Sequence, residues 1–164
     1  PATFPVPLIV AQHMPAVFVT GMVARMNRFC SVPVREAVDG QRLAPGTVYF
    51  APGGIQTEVL IQNQHLITRL GSLPEYTGPY KPSVDVLFTS AARCPGLRVL
   101  AIILTGMGRD GLKGSQAVSA QGGTIITQSK DSCVIYGMPG AVVEAGIANY
   151  QLPPGGIGNL LSKM

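Results

Sequence analysis

The sequence predicts an α/β protein, a doubly wound and mostly parallel sheet with helices on both faces, forming a single domain over residues 1–164. Three observations predict it. Short runs rich in Ile and Val, such as Leu8-Ile9-Val10 and Leu100-Ala101-Ile102-Ile103, read as strands buried on both faces. Segments with apolar residues at helical spacing alternate with these runs. Glycine-rich turns join the two kinds of segment, most plainly Gly106-Met107-Gly108-Arg109-Asp110-Gly111.

Each element has its own signal. Residues 5–11 form a strand that stops at Gln12-His13-Met14-Pro15. Residues 18–29 form a helix with Val19, Met22, Val23 and Met26 on one face, and with Arg25 and Arg28 turned outward. Residues 32–37 fit a strand, Asp39-Gly40 a turn, and residues 46–51 a strand closed by Pro52-Gly53-Gly54. Residues 57–62 and 65–70 make a hairpin around Asn63, and residues 71–83, rich in Gly, Pro and Tyr, a long loop. Val84–Ala92 is helical with Ser83 as its N-cap. Residues 98–105 are the strongest buried strand, and they run through the glycine-rich turn into a helix over Leu112–Ala120. Gly122-Gly123 ends that helix. A strand at 124–127, a turn at 128–132, the segment 134–136, a helix over 139–145 and a last helix over 157–163 complete the chain.

Composition narrows the function. Of 164 residues, 46% are hydrophobic and only 12% charged, against about 25% charged in ordinary soluble domains. Disordered chains are apolar-poor and charge-rich, so that class is excluded. The longest apolar run is far short of the ~20 residues that cross a bilayer, and no charged-then-apolar leader opens the chain. A cytoplasmic protein without membrane insertion is expected. The net charge of +4 reflects eight acids rather than a surplus of bases. The bases are scattered and Trp is absent, which argues against nucleic acid. Cys30, Cys94 and Cys133 have no metal-ligand spacing, so neither a metal nor a cofactor is expected from them.

Open α/β sheets bind ligands beyond the carboxyl ends of their strands. His13, one of only two histidines, follows the first buried strand, and Asp110 follows the strongest one. Imidazole with an orienting carboxylate is two-thirds of a nucleophilic triad. A strand-end histidine bonded to backbone and an aspartate capping a helix would occupy the same places. His65 sits in a polar hairpin and reads as solvated. Gly106–Gly111 also fits G-x-G-x-x-G, with Asp131 about twenty residues beyond it, the pattern of dinucleotide binding. Its late position, and an Arg and an Asp where a pyrophosphate would lie, weigh against that use.

Five blocks carry a resemblance. They are Gln12-His13-Met14-Pro15, then Ala51-Pro52-Gly53, Pro82-Ser83-Val84-Asp85-Val86-Leu87-Phe88, the run from Leu104 to Gly111, and Cys133-Val134-Ile135-Tyr136-Gly137-Met138-Pro139. In this order they resemble the catalytic domain of the chemotaxis protein-glutamate methylesterases (CheB type), over nearly the whole chain. The resemblance implies a doubly wound esterase that hydrolyses glutamyl methyl esters on the cytoplasmic domains of methyl-accepting chemoreceptors, and in some members deamidates receptor glutamines. It implies His13 as the catalytic histidine, Asp110 as the triad aspartate and the Met107 backbone N–H as oxyanion-hole donor. It also implies a phosphorylatable receiver domain as partner, in cis or in trans, within a two-component signalling system.

The chain departs from the family pattern. The family's nucleophilic Ser lies in a glycine-rich turn well before the His block, whereas Pro1 stands twelve residues ahead of His13. No G-x-S-x-G elbow occurs. The expectation is therefore a catalytic domain truncated at its N-terminus, with the nucleophilic Ser not in this chain and no receiver domain in it. Gln56 stands where members often have His, and Gly140 where Lys or Arg is common. A non-catalytic receptor-binding domain of the same fold is the alternative, and a dinucleotide-binding domain using Gly106–Gly111 a more remote one.

Overall fold

The computed structural model describes residues 4–74 and 76–164. The chain divides into two compact units, Pro1–Leu87 and Phe88–Met164.

In the first unit, β1 (Leu8–Val10), α1 (Ala16–Met26), β2 (Val34–Glu36) and β3 (Val48–Phe50) form a layer of helix on parallel sheet. The strand order is β1-β3-β2, with Leu8 and Val34 both opposite Val48. Val19 of α1 buries its side chain against Val34 and Phe50, with Val10, Met14, Met22, Val23 and Met26 packed around them. Each such fully buried side chain contributes roughly 1.5–3 kcal/mol. The helix ends at Met26 rather than at 29, with Asn27 as its C-cap and the Asn27 N–H still donating to the Val23 carbonyl at 3.0 Å. The Asn27 side-chain amide donates to the Val34 carbonyl and accepts from the Val34 N–H, at 2.7 and 2.8 Å, tying the helix end to β2. β1 is half-buried throughout, not buried on both faces as expected, and among the described residues it pairs with β3 alone.

The hairpin of β4 (Gln56–Gln62) and β5 (His65–Gly71) is antiparallel. Asn63 and Gln64 both take positive φ, 49° and 63°, the two left-handed residues that a type I′ turn requires. α2 (Val84–Ala92) starts where expected, with the Val86 N–H donating to the Ser83 hydroxyl at 3.4 Å.

In the second unit, β6 (Leu100–Ile103), β7 (Thr124–Gln128) and β8 (Tyr150–Leu152) form a parallel sheet in that order. β7 is central, and Ile125, Ile126 and Thr127 are fully buried. α3 (Leu112–Ala120) links β6 to β7, and α4 (Gly137–Glu144) lies between β7 and β8 in the chain; both pack on β7, as does α5 (Pro154–Leu161). β8 has no sequence signal, because its residues are short in number and largely exposed. Residues 134–136 form no strand beyond a single bridge between Gly106 and Tyr136. α5 begins three residues earlier than expected, on Pro154, whose fixed φ suits the first helical turn.

Candidate active site

His13 sits at the apex of a tight turn at the carboxyl end of β1. The Met14 N–H donates to the Gln12 carbonyl at 2.8 Å, a three-residue turn that lifts His13 off the strand. Pro15 then opens α1. The neighbouring Pro52-Gly53-Gly54 loop, at the carboxyl end of β3, presses on this turn. A Cβ at Gly53 would stand 2.3 Å from the Met14 carbonyl oxygen and 2.5 Å from the Ala16 nitrogen, so only glycine permits the approach.

The half-buried His13 ring lies flat on Tyr80, with ring centroids 4.2 Å apart and planes 13° from parallel. Such aromatic pairs contribute about 0.5–1.5 kcal/mol beyond the area they bury. With Met14, Pro15, Gly54, Pro79 and Lys81 the two rings line an open depression of about 290 Å³. Tyr80 comes from the long loop at 71–83, which carried no sequence signal beyond its composition.

Met107 and Asp110 share the glycine-rich loop after β6, in the second unit. The loop is fixed from below. The Thr105 hydroxyl donates to the Ile135 carbonyl at 3.0 Å and accepts from the Ile135 N–H at 2.9 Å. Gln128 accepts from the Thr105 N–H and donates to the Ser132 carbonyl, each at 2.8 Å. Gly106 donates to Ile135 at 3.0 Å, and its carbonyl accepts from the Met138 N–H at 2.8 Å. A Cβ at Gly137 would lie 2.8 Å from the Gly106 oxygen and 2.9 Å from the Gly108 nitrogen. Gly108 and Gly111, at φ 87° and 94°, take conformations that other residues rarely adopt.

The two candidates in that loop differ in exposure. The Met107 side chain is 72% exposed, and among the described residues its N–H meets no hydrogen-bond acceptor. Asp110 is 6% exposed, immediately before the glycine that caps α3. Cys133 flanks the loop. Burial is the main cause that raises its thiol pKa above the ordinary value, a Thr105 hydrogen bond opposes this, and the Asp131 carboxylate adds to it.

His65 is exposed in the hairpin, as its polar neighbours suggested. Ser83, Ser90 and Ser115 are buried, which leaves none of them placed as an exposed nucleophile. Gly140 is buried, and a Cβ there would meet the Tyr136 ring at 3.0 Å. The residues that sequence reasoning passed over as supports are Tyr80, Thr105 and Gln128. Each has a partner far away in the chain, His13 for Tyr80, Ile135 for Thr105 and Thr105 for Gln128.

His13 and Asp110 thus each stand in a loop at the carboxyl end of a strand in a parallel α/β unit. A family model described as "CheB methylesterase" matches residues 1–161, and the chain belongs to that family. It is 51% identical over 158 residues to a protein-glutamate methylesterase/protein-glutamine glutaminase of Saccharophagus degradans, covering 93% of this chain and 41% of the relative. It is 43% identical to a protein of the same description from Desulfitobacterium hafniense, covering 96% and 40% respectively. Among solved structures, the Thermotoga maritima CheB methylesterase catalytic domain matches with a TM-score of 0.90 at 36% identity, over 99% of this chain and 86% of that one. The doubly wound α/β fold is that of this domain. The chain spans about two-fifths of the length of the curated relatives.

Proposed function

We propose that this chain is the histidine- and aspartate-bearing part of a protein-glutamate methylesterase, a serine carboxylic-ester hydrolase acting on methylated chemoreceptors in the cytoplasm. The observation that carries the reading is the support of two strand-end loops by glycines that tolerate no side chain, Gly53 under His13 and Gly137 under the Met107 loop. The likeness to relatives described as methylesterases and glutaminases supports it, as does the match to the Thermotoga catalytic domain. Among the described residues no helix is long and apolar enough to cross a membrane.

In this reading the nucleophilic Ser lies outside residues 1–164. Its hydroxyl attacks the glutamyl ester carbonyl, and His13 takes the proton and returns it to the leaving methanol. Asp110 holds the imidazole tautomer and stabilises imidazolium. The Met107 N–H donates to the developing oxyanion, where one donor is worth about 10²–10³ in rate. Water then releases the acyl group through the same histidine. Chemoreceptor helices are the substrate and a receiver domain the regulatory partner, as for the family. In the full-length protein, His13→Ala should reduce methanol release from methylated receptor fragments by orders of magnitude, and unchanged turnover would overturn the proposal.

A further inference from the structure

We propose that Gln56 is a positioning residue for His13, acting through Tyr80; the role it serves rests on the esterase reading, but the contact itself does not. Gln56 is the first residue of β4 and is 2% exposed. Its side-chain N–H donates to the Tyr80 carbonyl at 2.8 Å, and its side-chain oxygen accepts from the Ser83 N–H at 2.8 Å. The orientation of the amide is fixed by its partners, since a carbonyl can only accept and a backbone N–H only donate. The Gly54 N–H donates to the Lys81 carbonyl at 2.9 Å. The segment 80–83 is thus held at three points, two by Gln56 at the start of the hairpin and one by Gly54 in the loop before it.

Tyr80 is the residue of that segment that touches His13. Its ring lies 4.2 Å from the imidazole and nearly parallel to it. A flat stack leaves the ring edge, with both nitrogens, directed away from the phenol face. Rotation of the imidazole about its last side-chain bond would break the stack, so Tyr80 restricts the ring to a narrow range. That restriction is only as firm as the backbone carrying Tyr80, and Gln56 is what fixes it from within the fold. A reacting group misplaced by about 1 Å loses about a hundredfold in rate. The expected consequence of releasing segment 80–83 is a kcat defect with KM unchanged, because Gln56 is buried and presents no surface for a substrate to touch.

The test uses the full-length protein and reads both structure and turnover. Stacking on Tyr80 shifts the His13 ring C–H proton resonances upfield through the phenol ring current. Gln56→Leu should abolish that shift and lower kcat by about ten- to a hundredfold, with KM unchanged. Gln56→His, which keeps one donor and one acceptor, should restore most of both. Tyr80→Leu should match Gln56→Leu, and the double variant should be no worse than either alone. Gln56→Glu preserves size and the acceptor for Ser83, and carries the same measurement should the Leu variant not fold. A folded Gln56 variant with His13 resonances still shifted, or additive losses in the double variant, would overturn the proposal. A shift that depends on Gln56 in a protein releasing no methanol would uphold the positioning contact and sink the esterase reading instead.

Discussion

The two loops that carry the candidate catalytic groups are built by different means. The His13 loop is a single tight turn off an edge strand whose residues are half-buried. Its side chain is restrained by another side chain, Tyr80, carried on a loop that is itself pinned by Gln56. The Met107–Asp110 loop leaves β6 and returns through α3 to β7, whose core residues are fully buried. It is restrained by hydrogen bonds to backbone groups, from the Thr105 hydroxyl, the Gln128 side-chain amide and the Gly106 backbone. The contrast suits the tasks assigned to them. An oxyanion donor must be a fixed dipole, while a general base must hold one orientation yet change charge.

That comparison can be broken by substitution, and the largest expected effect is chemical. Asp110→Asn should leave the fold intact and lower methanol release by roughly 10³–10⁴, as loss of the orienting carboxylate does elsewhere; steady-state kinetics on a methylated receptor fragment checks it. Next come the two glycines. Gly53→Ala and Gly137→Ala each force backbone apart, so each should destabilise by about 1–3 kcal/mol in chemical denaturation. The kinetic defects should differ. With the proposed roles, Gly53→Ala displaces His13 and should distort the pH profile, whereas Gly137→Ala displaces the Met107 N–H and should lower kcat at every pH.

Smaller effects sharpen the same contrast. Thr105→Val removes both hydroxyl bonds to Ile135 and should cost about 1–2 kcal/mol in urea unfolding, since the exposed site lets water replace part of the loss. The smallest effect concerns Cys133. With its thiol ionising at higher pH than usual, it should alkylate more slowly than a free cysteine at neutral pH. Because the folded thiol holds its proton longer than an unfolded one, its contribution to stability is full below the ordinary thiol range. It is lost as pH rises through the folded-state value. Iodoacetamide rates against pH, followed by mass spectrometry, measure this directly.

Much of this was legible in the sequence, and the pattern of what was not is physical. Leu100–Ile103 and Leu112–Ala120 could be placed because local periodicity and glycine punctuation determine them. His13 and Asp110 could be singled out because strand-end position follows from the same local signals. The supports could not. Gln56 meets Tyr80 and Ser83 across 24 and 27 residues of chain, and Thr105 meets Ile135 across 30. No periodicity encodes such a meeting. Gln56 stood out only as a departure from the family pattern, with nothing to say what it held. β8 was missed for a different reason: three largely exposed residues, paired with the central strand, leave no apolar signature.

The most direct test of the account is a double-mutant cycle on His13 and Asp110, read as methanol release by the full-length protein from a methylated receptor fragment. Residues that act as one catalytic unit are grossly non-additive. The account predicts that His13→Ala combined with Asp110→Asn is no slower than His13→Ala alone. Independent, multiplying losses, or turnover that survives both substitutions, would contradict it.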